Sequence, residues 1–547
     1  MTTPRFLLVG PYDPHCGEYT FLAPPLGVWR LAGVLQRAGV AVEVFDPNCC
    51  DGPPARAFQE ILARDRWDLV GISTTGMTLR YDLELAHIAR RVAPGACLVA
   101  GGMEATFKPE LMFRLGPFHR VVLGEGERPL LELAERLRAG RALDCIEGTA
   151  ERSPHGQVLR FPQPSLDHAE LRDAIFSTPY EQMPYPKYWD RLERAYRVGS
   201  LPMKAAREAR LAEIRSVRLI TLNYCPMGCT FCSSTNFLHD AQGSVARIAR
   251  LDVEECMTMI RRIVAAYPAV RTIVFQDDIF VFTSDRRVLP LCEAIVAAKE
   301  RGDLPRGLQF ISTNRIDAMT VPRLAAMRRA GFRVLGFGVE SFSPAILKEF
   351  NKAQIHRHIE PMLQAALDAG ITPFLDLILT SPRASLADLA ETLRSAYGWL
   401  KKGCELGMYP YIIPFSGAAM STDPALFAHT VHARPRVAGT AIEWDQPSKI
   451  LPIDPVVRTA ILEIERRFDD WLAFLERRIA HLPSRVRSLV WVLCSIPVLE
   501  EHGLFVAGFA DALGDLLDRL PALDAAARRE LEALAREPII ATAAAAT

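Results

Sequence analysis

Short apolar runs of strand length alternate with helix-period segments twice along this chain, and that double series restricts the fold more than any other feature. In the first series, over about residues 4–140, the strand candidates are Phe6–Val9, Ala41–Phe45, Leu69–Ser73, Cys97–Ala100 and Val121–Leu123. Helical patterns such as Leu26–Ala38 and Tyr81–Val92 lie between them. Runs this apolar, separated by helices, predict an α/β unit with a doubly wound parallel sheet. Ligands of such sheets sit outside the carboxyl ends of the strands. At those ends the sequence reads GPYDPHCGEY, DPNCCDG, STTGMT, GGMEATF and GEGE, and glycines and small polar residues let a backbone approach a large ligand closely.

The second series begins at Ser216, with strands expected at Arg218–Leu222, Thr272–Phe275, Gln309–Ser312, Val334–Gly338, Thr372–Leu379 and Gly407–Ile413. Helices such as Val253–Ala266 and Leu386–Leu400 fall between them, and six such units predict a partial (β/α)6 TIM-like barrel. Residues 141–215, with STPYEQMPYPKYW, read as an irregular connector. Beyond about residue 450 strand patterns stop, and the Leu-, Ala-, Arg- and Glu-rich remainder reads as helical, ending in a loose AAAAT tail. The expected division is therefore 1–140, 141–215, 216–420 and a mostly helical 421–547.

Lys+Arg and Asp+Glu are both 64, so no net charge draws the chain to nucleic acid or an anionic membrane. Apolar stretches fall short of about 18 residues, so no membrane span is expected. The opening MTTPRFLLVG reads as a first strand, not a signal peptide. Twelve cysteines without an export signal imply a reducing cytoplasm and argue against a disulfide framework.

Most of those cysteines, such as Cys97 and Cys494, read as buried small hydrophobes. Cys225, Cys229 and Cys232, in NYCPMGCTFCSS directly after the first strand of the second series, do not. Random placement would give this spacing about 0.006 times. Three thiolates on one tight loop suit a metal or an iron–sulfur cluster. A structural zinc would want a fourth ligand nearby, the next candidate being His239. A cubane held by three cysteines leaves one iron open to another ligand.

CPMGCTFC after the first of six βα strands resembles the CxxxCxxC signature of the radical S-adenosylmethionine (SAM) superfamily, and Phe231 before the third cysteine fits it. The resemblance implies a 4Fe–4S cluster on Cys225, Cys229 and Cys232. Its open iron would chelate SAM, which one electron cleaves to a 5′-deoxyadenosyl radical. It also implies SAM contacts at later strand ends: Phe231, Gln276 and Asp277, then Ser312, Asn314 and Arg315, then Glu340 and Ser341 in a GxES-like segment. ProPheSerGly (414–417) is similar to the family's late Pro-x-x-Gly turn. Taken singly, an acid or serine such as Asp278 or Ser341 also reads as a helix N-cap.

The N-terminal series resembles the cobalamin-binding domain of one branch of that superfamily, through APPLGVWRLAGVLQRAG (23–39) and the loops above. The implied cobalamin contacts are Pro11, Asp46, Asn48, Ser73, Thr74, Thr75, Gly101, Gly102, Glu104, Ala105, Thr106, Gly124, Glu125 and Gly126. A flavodoxin-like or nucleotide-binding sheet is the plainer reading of glycine loops alone. The cobalt-ligating pattern Asp-x-His-x-x-Gly is one residue short at Asp13-Pro14-His15-Cys16-Gly17, so ligation by His15 is not expected. The lower cobalt face would be open, water-bound or beside Thr75–Tyr81, with Arg80 as its neighbour.

What this resemblance implies for function is a class B-like radical SAM methyltransferase, moving methyl from SAM through methylcobalamin to a poorly activated centre of a small-molecule or peptide substrate. Its electron would come from an external donor such as flavodoxin or ferredoxin. Cobalamin-assisted cyclisation, rearrangement or oxidation is the alternative, and a sensor without chemistry is a third. tRNA methylthiotransfer is disfavoured by the neutral charge. No catalytic acid or base is legible. Substrate contacts are expected from the connector and the C-terminal domain, although Trp444, Trp471 and Trp491 read more readily as core.

Overall fold

A computed structural model of the chain describes residues 3–14, 23–201, 203–479, 482–520, 523 and 525–535. The first sheet holds β1 (Arg5–Val9), β2 (Ala41–Phe45), β3 (Leu69–Ser73), β4 (Cys97–Gly101), β5 (Arg120–Val122), β6 (Thr149–Arg152) and β7 (Val158–Phe161), in the order β2-β1-β3-β4-β5-β6-β7. Its first five strands are parallel. The two faces are covered separately. Phe6 and Leu8 pack with Val28, Ala32, Leu130 and Leu133 on one side, whereas Leu7 and Val9 pack with Phe58, Leu62, Leu83 and Ala86 on the other. That is double winding, with the strand order reversing between β1 and β3.

The expected connector is more ordered than its composition suggests. Strands β6 and β7 pair antiparallel and extend the first sheet, so this unit runs past residue 140 to at least Phe161. They escape the apolar signal because β7 is an edge strand, half to fully exposed. Residues 162–215 then supply the helices His168–Ser177, Tyr185–Ala195 and Lys204–Ile214. Tyr180, Tyr185 and Tyr188 are fully buried between the two sheets' layers.

The second sheet holds β8 (Ser216–Leu219), β9 (Thr272–Phe275), β10 (Gln309–Asn314), β11 (Phe332–Glu340), β12 (Thr372–Ile378) and β13 (Glu405–Tyr409), all parallel and in sequential order. The first and last strands stop sooner than their apolar runs. Leu222 and Ile412 lie beyond the strands, in single bridges to Arg250 and Ile450. Side chains alternate between faces, apart from irregularities in the pairing of β11 with its two neighbours. Leu219, Phe275, Phe310, Leu335, Phe337, Leu375 and Leu406 are buried under the helices. The open face carries Thr313, Gly336, Gly338, Phe374, Asp376, Gly407 and Tyr409.

After the sheet comes a hairpin, β14 (Thr430–Ala433) and β15 (Gln446–Ile450), so the segment from residue 421 is not helical throughout. The helices Pro455–Glu476, Ser484–Glu500, Phe509–Asp518 and Ala525–Ala535 follow. Trp471 and Trp491 are core here, and the Trp491 ring stacks on Phe468 at 4.1 Å. Trp444 instead joins the core of the first sheet.

At the first sheet's switch point one buried carboxyl, Asp82, ties two loops together. It accepts hydrogen bonds from Tyr12 N (2.9 Å), Thr75 N (3.4 Å) and Thr78 Oγ1 (2.6 Å). Burial raises its pKa from 3.8 to about 8. A folded pKa above the unfolded one contributes stability below the unfolded pKa and loses it as pH rises through the folded pKa. Without cofactors, the urea midpoint should therefore drop between pH 5 and pH 8, and Asp82→Asn should flatten that slope. An unchanged slope in the variant would contradict this assignment.

Candidate active site

The cysteine loop leaves β8 through a buried anchor. Asp277 accepts hydrogen bonds from Thr221 N (2.6 Å), Leu222 N (3.0 Å) and Thr221 Oγ1. Arg287 donates to Thr221 Oγ1 (3.0 Å) and to Leu251 O (2.9 Å). Burial lifts Asp277 to about 6, opposed by the nearby Arg287 charge. Further along, Tyr224 OH donates to Ala246 O (2.7 Å), Asn351 Nδ2 to Gly228 O (2.8 Å) and Thr230 N to Phe350 O (3.0 Å). Phe231 packs against Phe350 with ring centres 4.9 Å apart.

Cys225, Cys229 and Cys232 are half-buried free thiols. Burial pushes Cys225 up to about 11, and the charges of Cys229 and Cys232 push in the same direction, so the three thiols share one electrostatic neighbourhood. Cys229 is raised by burial and eased by the Lys352 ammonium. Among the described residues no three His, Cys, Asp or Glu side chains converge as a ready metal site. The loop carries three thiol donors within eight residues of chain.

The other strand ends hold a compact charged group. Glu340 ends β11 in the left-handed region (φ 64°) and accepts a hydrogen bond from Lys352 Nζ (2.8 Å). A Cβ on Gly338 would lie 2.5 Å from Glu340 Oε1 and 2.8 Å from Lys352 Nζ, so a side chain there would displace the pair from this position. Asp376 stands in register between Gly338 and Gly407 on the neighbouring strands. Its carboxylate has no hydrogen-bond partner among the described residues. Burial and the Glu340 charge raise it to about 7.

Several expected SAM contacts are spent on structure. Ser341 Oγ lies 2.8 Å from Thr392 Oγ1 and accepts from Ser343 N. Arg315 pairs with Asp317 (2.8 Å) and donates to the carbonyls of Lys352 and Ala353. Ser312 and Asn314 belong to the helix-covered face of β10, and Thr313 is the residue on the open face. Asn314 Nδ2 donates to Ser312, while its Oδ1 is buried without a partner. Gln276 is exposed at the end of β9. Lys352, Asp376 and Tyr409, which the sequence does not single out, stand at or beside these strand ends. A charged residue inside the apolar run TPFLDLIL, at open-face parity, was the signal for Asp376.

The cobalamin-type loops are stapled to each other. Asp46 accepts from Tyr188 OH (2.5 Å) and Asn48 N (3.1 Å), and burial raises it to about 6. Asn48 donates to Pro11 O (2.8 Å). Thr74 N and Oγ1 donate to Gly101 O, and Ala105 N donates to Thr74 Oγ1 (3.2 Å). Thr106 Oγ1 donates to Gly102 O and accepts from Gly124 N (2.9 Å). Glu125 Oε2 accepts from Leu166 N, and Gly126 packs against Leu31. Ser73 and Thr75 are half-buried at the β3 exit. Arg80 is exposed and stacks on its neighbour Tyr81 (5.5 Å), whereas Met77, in the same loop, is 72% exposed. His15 lies outside the described residues.

The carboxyl ends of the two sheets touch. Ser416 Oγ donates to Glu104 Oε2 (2.7 Å) and Phe107 meets Phe237 edge-on (6.3 Å), while within the second unit Asn236 Nδ2 donates to Gly417 O (2.6 Å). Gly417 (φ 82°) is pressed so close that a Cβ would lie 2.2 Å from Phe107. A third contact comes from the hairpin region, where Gln446 Nε2 donates to Gly76 O (2.8 Å).

Fold and site together define an α/β enzyme that couples a B12-type sheet to a cysteine-bearing parallel sheet. The B12 binding domain family matches residues 14–134 and the radical SAM superfamily residues 219–396. The chain is a cobalamin-dependent radical SAM enzyme, with cobalamin, SAM and a 4Fe–4S cluster as its cofactors. An uncharacterized methyltransferase of Pyrococcus horikoshii is 25% identical over 405 residues, 73% of this chain and 77% of the relative. The anaerobic magnesium-protoporphyrin IX monomethyl ester cyclase of Rubrivivax gelatinosus is 24% identical over 430 residues, 75% and 69% of the two chains. The structure of the cobalamin-dependent SAM radical enzyme OxsB, with aqua-cobalamin and SAM bound, matches 97% of this chain and 78% of its own with a TM-score of 0.63. At 16% identity that is a likeness of fold. No helix among the described residues is long and apolar enough to cross a membrane.

Replacing Cys225, Cys229 and Cys232 together with Ala should abolish the brown absorbance of the anaerobically reconstituted protein and all reductive SAM cleavage. 5′-Deoxyadenosine still formed by the triple variant would overturn the role given to this loop.

Proposed function

We propose that the enzyme transfers a methyl group from SAM to a poorly activated centre of a small-molecule or peptide substrate. Bound cobalamin supplies a methyl carrier and the iron–sulfur cluster supplies one-electron reduction of SAM. The observation that carries the reading is the direct contact between Glu104, Phe107 and the 414–417 turn. A methyl carrier on one sheet and a radical source on the other must reach one substrate, and these contacts bring the two ligand-binding edges together. The likeness to a methyltransferase of Pyrococcus horikoshii supports it.

Within this reading each group of residues has a task. Cys225, Cys229 and Cys232 hold the cluster, and Asp277 fixes the strand exit that aims their loop. Glu340 and Lys352 offer polar atoms to SAM. The loops at Ser73–Thr75, Gly101–Thr106 and Gly124–Gly126 cradle cobalamin, and exposed Met77 and Met103 offer it apolar contact. Substrate meets the open face between Phe374, Asp376 and Tyr409. The packed sheet edges keep water from the reacting centre. The second reading, cyclisation or oxidation without methylation, has support from the likeness to the Rubrivivax cyclase.

Product mass separates the two. Reconstituted enzyme with SAM should add about 14 Da to its substrate, by simple composition. A product formed without that gain would favour the second reading.

Asp376 can hold or release a proton near neutrality. Asp376→Asn should leave 5′-deoxyadenosine formation intact and lower methylated product about 100-fold, a usual size for losing a positioned acid or base. Product formation in the parent enzyme should rise with pH through about 7 as Asp376 ionises, and the variant should lack that rise. An unchanged profile would remove Asp376 from the reaction.

A further inference from the structure

Every reductive cleavage of SAM breaks one carbon–sulfur bond and consumes one electron. The chain's side chains offer no renewable source of electrons at that potential, so a donor must come close to the cysteine loop. One flank of that loop, around Phe237, faces the first sheet through Phe107. The other flank leans on residues 349–351. There Asn351 Nδ2 donates to Gly228 O (2.8 Å), Thr230 Oγ1 to Glu349 O (3.0 Å) and Thr230 N to Phe350 O (3.0 Å).

This second flank is an exposed, basic strip. Lys348, Asn351, Ala353, Ile355, Arg357 and His358 are exposed, and Ile355 keeps 47% of its surface in solvent. Lys348 and Arg357 have no ion-pair partner among the described residues. Of the nearby acids, Glu349 is held by Arg383 (3.1 Å), and Glu360 opens the next helix. His356 Nε2 lies 2.7 Å from Phe342 O and folds the strip back onto the short helix Pro344–Glu349. No hydrogen bond or ion pair among the described residues joins 348–358 to the first sheet. The strip therefore combines free positive charge, an exposed apolar residue and direct hydrogen bonds to the loop that bears the thiols.

We propose that the surface of Lys348, Asn351, Ile355 and Arg357 docks an acidic one-electron carrier protein of the flavodoxin or ferredoxin type. The carrier is oxidised by one electron at this surface, and the electron leaves through the Gly228–Thr230 side of the loop. Free cations steer an acidic partner and set a salt-dependent association. Ile355 supplies the desolvated contact at the centre. The inference rests on the SAM-cleaving reading of the same site.

The test uses the reconstituted full chain, the double variant K348E/R357E and a control with the same charge change at two exposed arginines of the first unit, R56E/R66E. Binding of purified flavodoxin is measured by calorimetry at low and high salt. Oxidation of flavodoxin hydroquinone is followed by stopped flow, and 5′-deoxyadenosine is measured with dithionite as the reductant. Binding to the parent should weaken with salt. K348E/R357E should bind flavodoxin at least tenfold more weakly and oxidise it correspondingly more slowly, with dithionite-driven cleavage unchanged. Parent-like binding in that variant, or equal loss in R56E/R66E, would overturn the surface. Loss of the dithionite reaction in K348E/R357E would also overturn it, by showing a structural role. If dithionite drives no cleavage in the parent, the functional reading fails, while calorimetry still decides the docking surface.

Discussion

The constraint on which the structure depends is that two parallel sheets must present their carboxyl edges to one another. Parallel strands leave their loops on a single edge, so each sheet has one ligand-binding side. The contact between these edges is small and specific. A serine hydroxyl on Glu104, a ring-to-ring meeting of Phe107 and Phe237, and a left-handed Gly417 packed under Phe107 hold it together. The helices of 162–215 and the hairpin at 430–450 brace it from two sides, through Tyr188 on Asp46 and Gln446 on Gly76.

Many polar residues at these edges face their own loops. Asp82, Asp46 and Asp277 are buried carboxyls that each tie two or more segments, and burial raises all three above the usual carboxylate range. Such groups cost stability when ionised, and they repay it by fixing loop geometry. They fix the loops in place around the glycines and small residues, whose accessible backbone is what a large planar or sulfonium ligand requires. The charged pair Glu340–Lys352, beside Asp376 and near Cys229, is the exception: it stands at the open face.

The linear reading found the strands and the cysteine loop because both are local. An apolar run of five residues, or three thiols within eight, needs no distant partner to be recognised. The reading failed where pairing decides. β6 and β7 are too short and polar to announce themselves, yet they complete the first sheet, β6 by hydrogen bonding to β5 and β7 by hydrogen bonding to β6. Ser312 and Asn314 were chosen by their place after a strand, but a period of two puts Thr313, not its neighbours, on the open face.

By itself, then, the sequence determined two parallel α/β units, the position of the three thiols and the edges where ligands bind, since periodicity and spacing are properties of the chain alone. Only the tertiary structure decided which side chains face that space. Asp277, Arg315 and Ser341 are consumed by contacts with segments far along the chain. Lys352 and Asp376 arrive beside Glu340 through a turn and through a neighbouring strand. The reason is physical: a carboxylate or guanidinium is free to meet a ligand only if folding has left it without a partner, and partners separated by tens of residues are set by register and packing.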